Sequence, residues 1–114
     1  MTAMIYHMCP AEAWEEGVAA GRYTGTADDR RDGFIHFSTA DQIAESARRH
    51  RAGQAGLVLV MVEAARLGDR LRWEASRDGA LFPHLYGSLL PAEAASVQPL
   101  PLGADGEHVF PPLV

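Results

Sequence analysis

The sequence predicts an α+β domain, with two helices on one side of a small, curved, mostly antiparallel sheet. Three observations carry this. Helical spacing follows each of the first two short strands, the remainder is mostly strand-like, and 114 residues are enough to bury one core without disulfides or a structural metal. No internal repeat, low-complexity stretch or linker divides the chain, so residues 1–114 are read as a single domain.

Met4 to Met8 is a short apolar run that reads as a strand with Ile5 and His7 on one face. Pro10 then stands at a helix start with Glu12 in the first turn, and Gly21 supplies the stop. Ala11, Trp14 and Val18 share the buried side of this helix. Gly21 to Gly33 is rich in Gly, Asp and Arg around Tyr23 and reads as a long polar connection, a common form of functional lid. Phe34 to Phe37 is a second strand. It runs into Ser38 and Thr39, which can cap a helix answered by Asp41 or Gln42 and continuing to about Arg51.

Leu57 to Val62 is continuous and β-branched, as a strand buried on both faces should be. After a turn at Leu67 to Arg70, Leu71 to Glu74 alternates like a half-exposed strand. Ser76 to Gly79 is a turn. Phe82 to Gly87 is apolar again, and its internal Pro83 predicts an edge strand or a bulge. A last strand lies near Val97, and His108 to Phe110 dock the tail.

Composition narrows the function. With 47% hydrophobic and 22% charged residues the chain is globular rather than disordered. The longest apolar run, Gly56 to Val62, is far too short to span a membrane as a helix. A start without signal character and a lone Cys9 predict a cytoplasmic protein. The formal charge of −5 argues against nucleic acid as a partner while leaving room for a local phosphate site.

The residues with chemical potential are His7, His36 and His84. His7 is either a satisfied core histidine or a ligand contact. His36 precedes Ser38 and Thr39, and the amides of the helix they open would seat a phosphate or carboxylate. His84 lies between Phe82 and Tyr86, aromatic faces suited to stacking a planar ring. Glu74, the only acid inside a predicted strand, is the general-base or ribose-hydroxyl candidate, with an ion pair to Arg72 or Arg77 as the alternative. The histidine spacings match no compact metal motif, and a Cys9–His7 nucleophile pair is disfavoured by Pro10 beside it.

Ile5-Tyr6-His7, Gly33 to Thr39, Trp73-Glu74 and Phe82 to Gly87 together resemble the family called domain of unknown function 952, over about residues 4–100. That family consists of small, mostly bacterial, cytosolic proteins. The resemblance implies a fold similar to the ADP-ribosyltransferases, a split α+β barrel with NAD in a cleft. It implies that His7 contacts the nicotinamide-side ribose, that His36 with Ser38 and Thr39 forms the second polar position, and that Glu74 is the late-strand acid. His7 and His36 also look like the histidine pair of the RNA 2′-phosphotransferase branch. Glu74 departs from the family pattern in lacking a Glu-x-Glu partner.

The resulting expectation is a nucleotide cleft for NAD or ADP-ribose. In it His7, His36, Ser38, Thr39, Phe82, His84 and Tyr86 bind the ligand, and His7, His36 and Glu74 serve any transfer chemistry. The residues leave two alternatives open. One is a non-catalytic binding or interaction module, and the other is a metal-dependent hydrolase built on His7, His36 and His84.

Overall fold

The computed structural model describes residues 3–113. The Arg77 side chain, the other ion-pair alternative for Glu74, lies outside the described residues. Seven strands form two antiparallel sheets. The first has the order β3-β1-β4-β7, and the second β2-β6-β5. The strands are β1 (Met4–Pro10), β2 (Ile35–His36), β3 (Ser38–Thr39), β4 (Leu57–Glu63), β5 (Leu71–Ser76), β6 (Ala80–Leu85) and β7 (Ala94–Leu100). Three α-helices accompany them, α1 (Ala11–Ala20), α2 (Ala27–Asp32) and α3 (Ile43–His50), with short 3-10 segments at Ala64–Arg70, Arg77–Gly79 and Pro91–Glu93.

Strands β1 and β4 occupy the centre of the first sheet, so both of their faces are covered. Ile5, Cys9, Val60 and Val62 pack on one side with Trp14, Tyr23, Phe37 and Leu85. Tyr6, Met8, Leu57 and Leu59 pack on the other with Ile43 and Ala47 of α3. The period-two alternation of a strand divides these residues between two cores. The second sheet packs against the first of these cores through Ile35 and Leu85.

The chain changes sheets between β2 and β3. Phe37 donates its N–H to the carbonyl of Pro83 at 3.0 Å. Proline has no N–H to return a bond, so the ladder ends at this pair and the chain is free to leave. The next two residues, Ser38 and Thr39, pair with Tyr6 and Ile5 of the first sheet. Pro83 therefore sits in the central strand of the second sheet rather than at an edge, because its missing donor falls where its neighbour departs.

Several sequence expectations change. Ser38 and Thr39 are strand residues and cap nothing: α3 begins at Ile43 after Gln42, whose side chain accepts from the Thr39 N–H at 3.0 Å. Pairing to β1 claims both residues before a helix can start. No row of helix amides therefore follows His36, and the anion seat expected there is not formed. The polar Gly21 to Gly33 segment contains α2, opened by a capping box in which Thr26 and Asp29 bond each other's backbone N–H. Helix α1 ends at Gly21 in the left-handed conformation as expected, but Val18 is exposed and Gly17 takes the buried place.

Gly17 is buried because Tyr23 crosses directly over it. A Cβ there would come 2.8 Å from the Tyr23 Cβ and 2.9 Å from its Cα. Helix propensity alone favours alanine over glycine by about 1 kcal/mol. Overpacking against backbone costs about 1–3 kcal/mol and dominates here. Gly17→Ala is expected to lower the urea midpoint of unfolding; an unchanged or higher midpoint would refute this packing.

Candidate functional site

An open cleft with about 170 Å3 of space lies where the two sheets, α2 and the end of α3 meet. It is lined by His7, His36, Ser38, Phe82 and His84, so the structure brings the three histidines into one place. Thr39, Glu74 and Tyr86 lie outside that lining. Asp29, Asp32, Ser46, His50 and Arg51 line it as well. His50, exposed at the end of α3, also forms part of the cleft wall.

Asp29 organises the base of the cleft. It is 3% exposed, yet it is surrounded by donors. Its Oδ2 accepts from the Thr26 N–H at 2.8 Å. Its Oδ1 accepts from the His36 N–H at 3.1 Å and from His36 Nδ1 at 2.5 Å. Burial works against the carboxylate, but the bonds from His36, the nearby His7 and the Thr26 amide outweigh it and hold the pKa at about 2. His36 Nε2 meets Asp32 at 3.0 Å. Partial burial opposes a charged His36, and the two carboxylates overcome that, raising its pKa above the ordinary histidine value.

His7 is held differently. It is 2% exposed and hydrogen-bonds the His36 carbonyl through Nδ1 and the Tyr23 hydroxyl through Nε2, both at 2.7 Å. The carbonyl can only accept, so Nδ1 carries the proton and a neutral Nε2 accepts from tyrosine. Burial lowers its pKa, against the pull of Asp29 3.7 Å away. The His7–His36 bond joins β1 to β2 and so ties one sheet to the other. Cys9 also reaches the Tyr23 hydroxyl, and burial raises its thiol to about 11. Tyr23 thus stands between Cys9 and His7, and no thiol–imidazole nucleophile pair exists.

His84 belongs to a third arrangement. Its Nδ1 bonds Glu74 Oε1 at 2.8 Å, and Tyr86 donates to the same oxygen at 2.7 Å. These two bonds lower the Glu74 pKa, and the second also raises that of Tyr86. Glu74 therefore takes His84 and Tyr86 as its partners, and the Arg72 guanidinium lies over the Tyr86 ring at 4.9 Å instead. Phe34 stacks on His84 with ring centroids 4.0 Å apart and planes 26° from parallel. His36 and His84 are direct register partners on β2 and β6, with ring centroids 5.7 Å apart. Among the described residues no group of three His, Cys, Asp or Glu is placed to hold a metal ion, and the histidine trio forms none.

The sequence reading missed Asp29, Tyr23, Phe34 and Arg51. The Thr26-x-x-Asp29 spacing, a capping-box pattern closed by Gly33, was the available signal for the first. No local pattern marked the others, which depend on tertiary placement.

A model of the family described as protein of unknown function (DUF952) matches residues 8–97. The chain belongs to this family. It is also similar to protein CC0527 from Caulobacter crescentus. The crystal structure of that protein is 47% identical with a TM-score of 0.90, covering 93% of each chain. Its solution NMR structure is 48% identical with a TM-score of 0.82, covering 91% of this chain and 90% of the other. No curated protein matches. No helix among the described residues is long and apolar enough to cross a membrane.

The opposite shifts of His7 and His36 give a pH signature. His36, raised when folded, adds stability below its unfolded value near 6.5 that is lost as pH rises through its folded value. His7, lowered when folded, subtracts stability as pH falls below 6.5, because only the unfolded chain then takes up the proton. The two oppose each other. Asp29→Asn removes the main support of the His36 charge, so the variant's stability is expected to fall more steeply than wild type from pH 7 to pH 5. Loss of the charged acceptor also costs about 1–3 kcal/mol outright, since His36 is 41% exposed and keeps Asp32 as a partner. Chemical denaturation across that range checks both, and parallel curves would refute the assignment.

Proposed function

We propose that the cleft binds a nucleotide of the NAD or ADP-ribose class. The observation that supports this most directly is Arg51. It lines the cleft and has no carboxylate partner among the described residues, whereas Arg31, Arg48 and Arg49 are all paired. A guanidinium left unpaired in a concave site suits phosphate oxygens. Phe82 and His84 offer flat faces for a ring beside it, and the Ser38 hydroxyl, bonded to Ser46 at 2.9 Å, adds a polar edge. In this reading His7 and His36 shape and charge the floor beneath ribose or phosphate. We read the two sheets, between which the chain passes at β2 and β3, as the split barrel of the ADP-ribosyltransferases. Members of that class hold NAD in a cleft.

A non-catalytic binding module is the second reading. It is favoured by the saturation of His7 and His36, each of which has both ring nitrogens in hydrogen bonds or ion pairs. On that reading bound NAD is never consumed.

Calorimetry with NAD and with ADP-ribose tests the nucleotide reading. Binding at or below millimolar concentration is expected, weakened about tenfold or more by Arg51→Ala through loss of a charge-assisted contact. Absence of heat together with an unchanged melting temperature at millimolar nucleotide would sink it.

A further inference from the structure

We infer that Glu74 and His84 form a general-base dyad, with His84 Nε2 taking a proton from the water or hydroxyl that attacks a nucleotide bound in the cleft. The substrate class rests on the nucleotide reading above, while the dyad rests on geometry alone. Of the three histidines, His84 alone keeps a ring nitrogen without a partner among the described residues. Its Nδ1 faces the Glu74 carboxylate, which when ionised can only accept, so the proton lies on Nδ1 and the Nε2 lone pair is left bare. No buried side-chain nitrogen or oxygen among the described residues lacks a hydrogen-bond partner. Nε2 makes none, so this atom is not sealed in the core, although the residue is 6% exposed, and its side chain lines the cleft.

The surroundings hold that orientation. Tyr86 donates to the same Glu74 oxygen and fixes the carboxylate. Phe34 stacks on the imidazole and restricts its rotation. The neighbouring His36, held by Asp29 and Asp32, meets the His84 ring edge-on with centroids 5.7 Å apart and further limits its movement. Glu74 is a positioning residue in this scheme, and His84 is the group that meets the nucleophile. This is the base-and-orienter pairing that activates hydroxyl nucleophiles generally.

With NAD and water the step balances as follows. The bond between the ribose anomeric carbon and nicotinamide breaks, and nicotinamide leaves as a neutral ring with the bonding pair. The water oxygen bonds to that carbon while one of its protons passes to His84 Nε2. The resulting imidazolium, paired with Glu74, releases the proton to solvent. The products are ADP-ribose, nicotinamide and one proton.

The test has two arms, so that the dyad and the nucleotide reading fail separately. In the first, nitrogen-15 NMR of the intact chain without nucleotide is expected to show His84 protonated on Nδ1 and bare on Nε2. Diethyl pyrocarbonate, which acylates an imidazole lone pair, should then modify His84 well before His7 and His36. Glu74→Gln, which can donate to Nδ1, should reverse the tautomer and slow the modification, and Tyr86→Phe should weaken the preference if the glutamine variant fails to fold. A wild-type proton on Nε2, or a His84 no more reactive than His7 and His36, overturns the dyad. In the second arm, nicotinamide release from NAD is followed against pH. At saturating NAD, His84→Gln is expected to lower kcat by roughly a hundredfold or more, beyond any loss of affinity from its stacking face. Binding of NAD without release by the wild type overturns the catalytic role, whereas no binding at all strikes the nucleotide reading and leaves the first arm to decide the dyad.

Discussion

A single carboxylate connects the parts of this fold that would otherwise be independent. Asp29 closes the first turn of α2, accepts from both the backbone and the ring of His36 on β2, and faces His7 on β1. An isolated carboxylate in such a place would cost several kcal/mol, and three directed donors with a charged imidazole are what make it tolerable. The polar segment between α1 and β2 is consequently tied to β1 and β2 through Asp29. Gly25 belongs to the same constraint. It adopts a positive φ of 96°, and a Cβ there would stand 2.6 Å from the Asp29 Cβ, so only glycine lets the loop pass this close to the carboxylate.

From Asp29 the constraint spreads through His36 and His7. The His36 ring is locked by Asp29 and Asp32, which fixes the backbone carbonyl that receives the His7 proton. His7 in turn orients Tyr23, and Tyr23 packs on Trp14 of α1 and exchanges backbone bonds with Leu89. One polar chain therefore runs through the first core and links both sheets with two helices. Such a chain adds little net stability when complete and is costly when broken, so its effect is to select one arrangement. That arrangement leaves an open cleft where the two sheets diverge.

Much of the fold was legible because it rests on periodicity. Leu57 to Val62 reads as a doubly buried strand and is one, and Gly21 ends α1 as its backbone freedom suggests. The failures share a physical cause. Ser38 and Thr39 carry a strong local capping signal, yet partnership with Ile5 and Tyr6 across the chain overrides it. Pro83 reads as an edge residue because a proline lacks a donor, and sequence alone does not show that its neighbour leaves the sheet just there. The site was legible as a set of residue types. His7, His36, Ser38, Phe82 and His84 were named from local context and share the cleft. Asp29 and Tyr23 were hidden inside a segment that composition marks as loop, since their roles depend on what lies across from them.

The three histidines look alike in sequence, each within a short apolar run, and the structure gives each a different state. Burial beside a carbonyl and a phenol holds His7 toward the neutral form. Two flanking carboxylates hold His36 toward the charged form. His84 is the one with unspent capacity, since a single carboxylate holds one nitrogen and the other makes no bond among the described residues. A structural histidine satisfies both nitrogens within the protein, as His7 and His36 do; a working one keeps a lone pair for something that is not protein. By that criterion the chemistry of this cleft falls to the second sheet, on β5 and β6, while the first sheet and α2 supply the rigid, charged floor against which it would act.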